Sequence, residues 1–187
     1  MTMSVDGFVN DRNGDVSALY PDLEALRKTE LLQNEIRRTG AVVMGLNAFD
    51  MADGDLTGYE FQVPIFVLTH TVPEQAVRGE NDKLRVTFVT DGIESAVAQA
   101  RAAAGIKDVT VIGGASIAQQ LIQAGLVDEL QIGIMPVLLG DGLRFFDHFG
   151  YQPIQLEKIN VIESQERTDL RFRVVKPTIR IQPDWKG

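Results

Sequence analysis

The sequence contains no cysteine. That excludes disulfide frameworks, thiolate zinc sites, iron–sulfur clusters and cysteine nucleophiles. It also leaves no cysteine evidence for an oxidising compartment. Only two histidines occur, His70 and His148, so a histidine-rich metal centre is excluded and no metal is expected. No apolar stretch approaches the roughly 20 residues that span a bilayer, and no membrane association is expected. Residues 1–7 (MTMSVDG) lack the basic and apolar regions of a signal peptide, so the expected location is cytoplasmic. Basic residues are outnumbered by acidic ones, 18 to 26, giving a formal charge of -8. This balance argues against a nucleic-acid partner held through phosphates. No GxSxG, HExxH or kinase signature is present, which removes support for hydrolase and metalloprotease chemistry.

What is present is ordinary globular composition: 187 residues, 44% hydrophobic and 24% charged. No linker or composition shift divides the chain, so residues 1–176 are expected to form one domain and residues 177–187 an extended tail. Strand–helix alternation dominates the first two thirds. Residues 41–44 (AVVM), 63–69 (VPIFVLT) and 109–112 (VTVI) read as buried strands, and 86–89 (VTFV) as a β-branched and aromatic strand between them. Residues 19–38 predict helix, either one helix from Asp22 or a turn followed by a helix near Thr29, with Gly40 as its terminator. Residues 93–104 predict a strong alanine-rich helix. Residues 116–124 predict another, with Ser116 as N-cap. Residues 129–136, 151–162 and 170–175 read as strands, the last two as an antiparallel pair. The pattern is an α/β fold, parallel in its centre with an antiparallel C-terminal end.

Four segments carry chemistry. In VTVIGGASIA a strand runs into Gly113-Gly114 and a helix start, where backbone N–H groups favour phosphate. From the local pattern alone, a ligand loop and a plain tight turn are equally supported. Gly45-Leu46-Asn47 and Thr69-His70-Thr71 also follow strands, at the edge where open parallel sheets bind ligands. Each alone reads more simply as a turn; their convergence is what favours a nucleotide site. Asp6-Gly7 ends the first strand, where a carboxylate can meet substrate or merely form a turn. His148, beside Phe145, Phe146 and Phe149, reads as packing.

Taken in order, SVDGFV, AVVMG, FVLTH, VTVIGGASIAQQLI, GLVDEL and MPVLLGDGLRFF resemble the dihydrofolate-reductase-like superfamily. The resemblance is strongest to the reductase domain of the bifunctional riboflavin-biosynthesis deaminase-reductase and its stand-alone relatives. It implies a three-layer fold around a mostly parallel sheet of about eight strands, and an NADPH-dependent reductase. By motif, Ile112, Gly113, Gly114, Ala115, Ser116 and Ile117 would hold the pyrophosphate and nicotinamide side. A cis peptide would join the two glycines. Gly45, Leu46 and Asn47 would lie under the pyrophosphate, Thr69, His70 and Thr71 near the adenosine phosphate, and Thr90 with Asp91 on the adenine side. Thr2, Val9 and Asp6 would flank the nicotinamide and substrate, with Asp6 as catalytic acid and an ordered water as the competing proton source.

Many relatives carry Arg then Lys or Thr where this chain has Leu46 and Asn47, so a charged grip on the 2′-phosphate is missing there. His70 and Arg78 are the candidates to compensate. Folate-specific reductases carry Trp in the loop after the first strand; the only Trp here is Trp185, which disfavours a folate reductase. The expected substrate is a small pteridine- or pyrimidine-like compound, or another imine or carbonyl, selected by residues between Tyr20 and Phe61. A homodimer through the late antiparallel strands is expected by the same resemblance. Two other classes stay open: a non-catalytic nucleotide-binding module on this fold, and a structural interaction protein whose glycine loops are only turns.

Overall fold

The computed structural model describes residues 1–21, 23–74, 76–147, 150, 153–164 and 166–176. His148, residues 151–152 and the tail from residue 177, including Trp185, lie outside the described residues. Along the chain, β1 (Thr2–Ser4) and a 3-10 turn (Ser17–Leu19) precede helices α1 (Leu23–Lys28) and α2 (Glu30–Arg38). Then follow β2 (Thr39–Gly45), α3 (Leu46–Asp50), β3 (Ile65–Leu68), β4 (Val86–Val89), α4 (Ile93–Ala104) and β5 (Asp108–Val111). Next come α5 (Ala115–Gln123), β6 (Glu129–Met135), β7 (Leu156–Glu163) and β8 (Thr168–Val174).

Strand alternation makes the layers. In β2, Ala41 and Val43 face α4 and α5, packing with Ala96, Val97, Ala100, Ile117 and Leu121. Val42 and Met44 face the other way, into Phe49, Leu56, Phe61 and Leu84. The same split puts Phe66 in the first cluster and Ile65 and Val67 in the second. A period of two thus sends successive side chains into two cores, one on each side of the sheet.

Among the described residues eight strands form, but hydrogen bonding divides them into two four-stranded sheets in place of one. One is fully parallel, in the order β4-β3-β2-β5. The other, β1-β6-β8-β7, has β1 parallel to β6 and antiparallel pairs beyond it. β1, of three residues, is an edge strand of the second sheet and β5, of four, an edge strand of the first. Helix α5 spans the junction. Its Ile117 and Leu121 pack on the parallel sheet, while Ala115 and Ile122 pack on Leu130, Ile132 and Val174 of the other and on Phe145 in the loop after β6.

Two turn assignments need correction. Gly40 is not a helix terminator but part of β2. Thr39 closes α2 instead, its N–H and hydroxyl both donating to Glu35 O. Gly40 is required for close approach, since a Cβ there would sit 2.7 Å from Ala104 O and from Lys107 Cβ. Ser116 is not the N-cap of α5; Gly114 holds that position, with no side-chain cap. Ser116 lies inside the first turn, where its hydroxyl accepts from Gln120 Nε2 at 3.2 Å. Residues 19–38 match neither reading in full: two helices form, α1 and α2, with Thr29 capping α2 by accepting from Leu32 N–H at 3.3 Å.

Candidate active site

Strand register assembles the site. Gly45 pairs with Leu68, Leu68 with Val89, and Val43 with Val111. The residues that follow, Leu46-Asn47, Thr69 to Thr71, Thr90-Asp91 and Ile112 to Gly114, therefore emerge on one edge of the parallel sheet. Two backbone bonds extend the ladder into these loops: Thr69 N–H to Val89 O at 3.0 Å and Ile112 N–H to Val43 O at 3.0 Å. In the second sheet β1 runs parallel to β6, the strand that follows α5. Gln119 of α5 ties the two halves together, since its Nε2 donates to Arg144 O and Phe145 O beyond β6.

The Gly113-Gly114 turn is made by left-handed backbone, φ +74° and +79°, and no cis peptide occurs among the described residues. The expected cis bond is thus replaced by two successive positive-φ glycines, a conformation glycine adopts without a Cβ penalty. Packing enforces the same choice. A Cβ on Gly113 would lie 2.4 Å from Ala48 Cβ, and one on Gly45 or Gly114 would press on Ile117 Cγ1 at 3.0 or 3.2 Å. The glycines therefore bring the starts of α3 and α5 together. α5 and α4 begin at Gly114 and Gly92 without side-chain caps. Their first N–H groups and positive dipole ends face the edge, an arrangement suited to an anion. Among the described residues of these loops there is no lysine or arginine. A dinucleotide there would be held by backbone donors.

Asp6 occupies the corresponding end of β1. Its Oδ1 accepts from Ser4 Oγ at 2.6 Å and Leu139 N–H at 3.2 Å, and its Oδ2 from Gly140 N–H at 2.8 Å. The Ser4 hydroxyl, and after it the Gly140 and Leu139 amides, outweigh the opposing effect of desolvation and lower its pKa from 3.8 to about 2. The carboxylate is thus an anchor between β1 and the loop after β6, and it stays ionised near neutrality. The zipper continues through Val5 N–H to Val137 O at 3.0 Å, Val9 N–H to Leu143 O at 2.8 Å and Phe145 N–H to Gly7 O at 3.0 Å. Arg144 stacks on the Phe8 ring, 4.5 Å from its centroid, and its Nη1 donates to Asp6 O.

The other anticipated residues divide. Val9 sits in the zipper, partly buried against the third core cluster. Thr2 does not reach the edge; it lies at the start of β1, paired with Gly133, its hydroxyl accepting from Arg167 Nη1 at 3.4 Å. Thr69 Oγ1 folds its own loop, donating to Thr71 O at 2.8 Å, and leaves His70 exposed. Arg78 is taken up elsewhere, by Asp55 at 3.3 Å and Asp53 at 3.4 Å.

Sequence reasoning missed a groove of about 840 Å³ between α1–α2 and one face of β6, β8 and β7. Leu19, Tyr20 and Met135 form one end and Gln131, Glu35 and Arg171 another part of its lining. Met135 is the register partner of Ser4, which places that end beside Asp6. The roof falls within the anticipated span after Tyr20, but the floor comes from β6, β7 and β8. The available signal was α2 itself: Leu32 and Ile36 pack on the core, whereas Leu31 and Asn34 line the groove.

A family model described as the RibD C-terminal domain matches residues 1–169. The chain belongs to the RibD C-terminal domain family. Solved structures share the fold of this RibD C-terminal domain chain. One, from Shewanella sp. PV-4 and described as a riboflavin biosynthesis protein, has a TM-score of 0.77 at 22% identity, covering 94% of this chain and 97% of that one. The diaminohydroxyphosphoribosylaminopyrimidine deaminase/5-amino-6-(5-phosphoribosylamino)uracil reductase of Thermotoga maritima gives 0.68 at 16% identity, over 93% of this chain but 55% of that one. Dihydrofolate reductase from Enterococcus faecalis, solved with NADP(H), gives 0.59 at 16% identity, over 94% of each chain. The RibD C-terminal domain chain thus has the dihydrofolate-reductase-like α/β fold. Among its described residues, no helix is long and apolar enough to cross a membrane, and no cluster of candidate ligands for a metal ion occurs.

Proposed function

We propose that the chain is an NADPH-dependent reductase acting on a small imine or carbonyl compound. The observation that carries this reading is the edge itself: four parallel strand ends, the Gly113-Gly114 turn and two uncapped helix starts converge there. When bound, the nicotinamide supplies a hydride from its C4 to the substrate's C=N or C=O carbon. The protein supports this with the glycine backbone and α5 start, which hold the pyrophosphate by N–H donors, and with the Asp6 zipper, which closes the nicotinamide end. Because Asp6 is held ionised, the proton for the substrate heteroatom comes from water.

Titration of NADPH by nucleotide fluorescence tests the reading, with a Kd of micromolar order expected. Absence of binding by NADPH and NADH would sink it. Binding without turnover over a substrate panel marks the non-catalytic alternative, which the uncharged Leu46-Asn47 pair favours. The same reading takes the protein as a homodimer. β7 supports it: all eight residues are exposed, and its outer edge is unpaired among the described residues. Light scattering should read twice the 20.6 kDa chain mass.

A further inference from the structure

We infer that the groove under α1–α2 selects an elongated substrate carrying no phosphate or carboxylate, an inference that rests on the reductase reading above. The groove follows β6 from Gln131 to Met135, about 13 Å of strand at the usual rise. It is therefore longer than one ring needs. Its charges are already closed. Arg167 forks onto Asp169, with Nε to Oδ2 at 2.8 Å and Nη2 to Oδ1, and both side chains are largely buried, at 15% and 9% exposure. Gly133 lets this pair lie flat, since a Cβ there would come within 3.0 Å of Arg167 Cζ. Arg171 gives Nε and Nη2 to Glu129 Oε2 and lies 3.9 Å from Glu35 Oε1. Arg38 pairs with Asp108 at 2.8 Å.

Each arginine of the lining thus has a carboxylate partner. Those three arginines meet four lining acids, Glu30, Glu35, Glu166 and Asp169, among the described residues. Glu30 and Glu166 have no basic partner among the described ion pairs and add negative potential. A phosphate entering this groove would lose water and meet guanidiniums that are already paired, and opening the buried Arg167–Asp169 pair to receive it would strand a carboxylate. Neutral hydrogen-bonding groups meet no such obstacle. The Tyr20 and Gln131 side chains, alongside the two carboxylates, offer them donors and acceptors. The phosphoribosyl compound in the name of the Thermotoga relative is the kind of substrate this lining turns away.

The test uses matched pairs on the NADPH-saturated protein: uridine against uridine 5′-monophosphate, and riboflavin against its 5′-phosphate, measured by calorimetry. The unphosphorylated member of at least one pair should bind about tenfold tighter or more. Equal affinities, tighter binding of the phosphorylated members, or no binding by any member overturns the proposal. Leu31→Trp, which fills the groove, should weaken the neutral ligand and leave NADPH affinity unchanged; an unaffected neutral ligand also overturns it. The double variant E35Q/E129Q removes both carboxylates from Arg171 and should raise affinity for the phosphorylated member about tenfold. No gain from a variant with wild-type circular dichroism counts against the proposal. NADPH fluorescence is read first, so loss of the reductase reading is seen separately from failure of the groove assignment.

Discussion

Three donors converge on Asp6, and they decide how it titrates. Its folded pKa, about 2, lies below its ordinary 3.8, so its contribution to stability is fully present above about pH 4. That contribution is lost as pH falls from about 4 toward 2. Denaturant titrations across this range should show wild type losing stability that Asp6→Asn never has, so the two curves converge at low pH. At pH 7 only about one carboxyl in 10⁵ would be protonated, too few for a proton donor. The pH–rate profile of the wild type should accordingly show no limb that Asp6→Asn removes. Gly113 is decided by two constraints at once, its φ of +74° and an Ala48 Cβ only 2.4 Å from where a methyl group would stand. Gly113→Ala should cost about 1–2 kcal/mol from the left-handed backbone alone, with more from the clash. Adding Ala48→Gly should relieve the clash and leave the backbone cost, a separation that a double-variant cycle measures.

At the scale of elements, caps and buried rings matter most. α1 and α2 bury no residue fully, so the hairpin depends on local signals such as the Thr29 cap. Thr29→Ala should cost about 1 kcal/mol and should speed amide hydrogen exchange at Leu32 and Gln33, while α4 is unchanged. α3 behaves in the opposite way. It has only five residues but carries Phe49, fully buried and edge-on to Phe88 at 5.4 Å. Phe49→Ala should cost about 3–5 kcal/mol in chemical denaturation. Legibility follows the same division. α4 and β4 stand where their residues suggest, because alanine content and β-branched runs agree with burial on one side or both. Gly40 and Ser116 misled because a glycine after a helix and a serine before one have two uses each, and only neighbours more than 60 residues away, or a turn's φ, choose between them.

At the scale of the whole molecule, an acidic chain of charge -8 is read as binding an anionic dinucleotide. The described edge loops of the parallel sheet ease that tension by offering backbone N–H groups and no acid save Asp91, whose Oδ2 already accepts from Ser95 Oγ at 2.8 Å. NADPH at about 100 times its Kd should therefore stabilise the fold by about 2.7 kcal/mol, read as a raised unfolding midpoint. Moderate salt should weaken this only slightly, since no lysine or arginine of the described edge loops is screened. By itself the sequence determined the strands, the glycine turns and their common family, because apolar runs and glycine spacing act locally and need no partner to be read. The tertiary structure alone decided that Asp6 is an anchor, that Thr2 stays away from the edge and that Arg78 is engaged elsewhere. It also made the groove, whose roof and floor lie about a hundred residues apart in the chain. Those outcomes depend on which distant donors and carboxylates meet, and contact across the fold is not written in the order of residues.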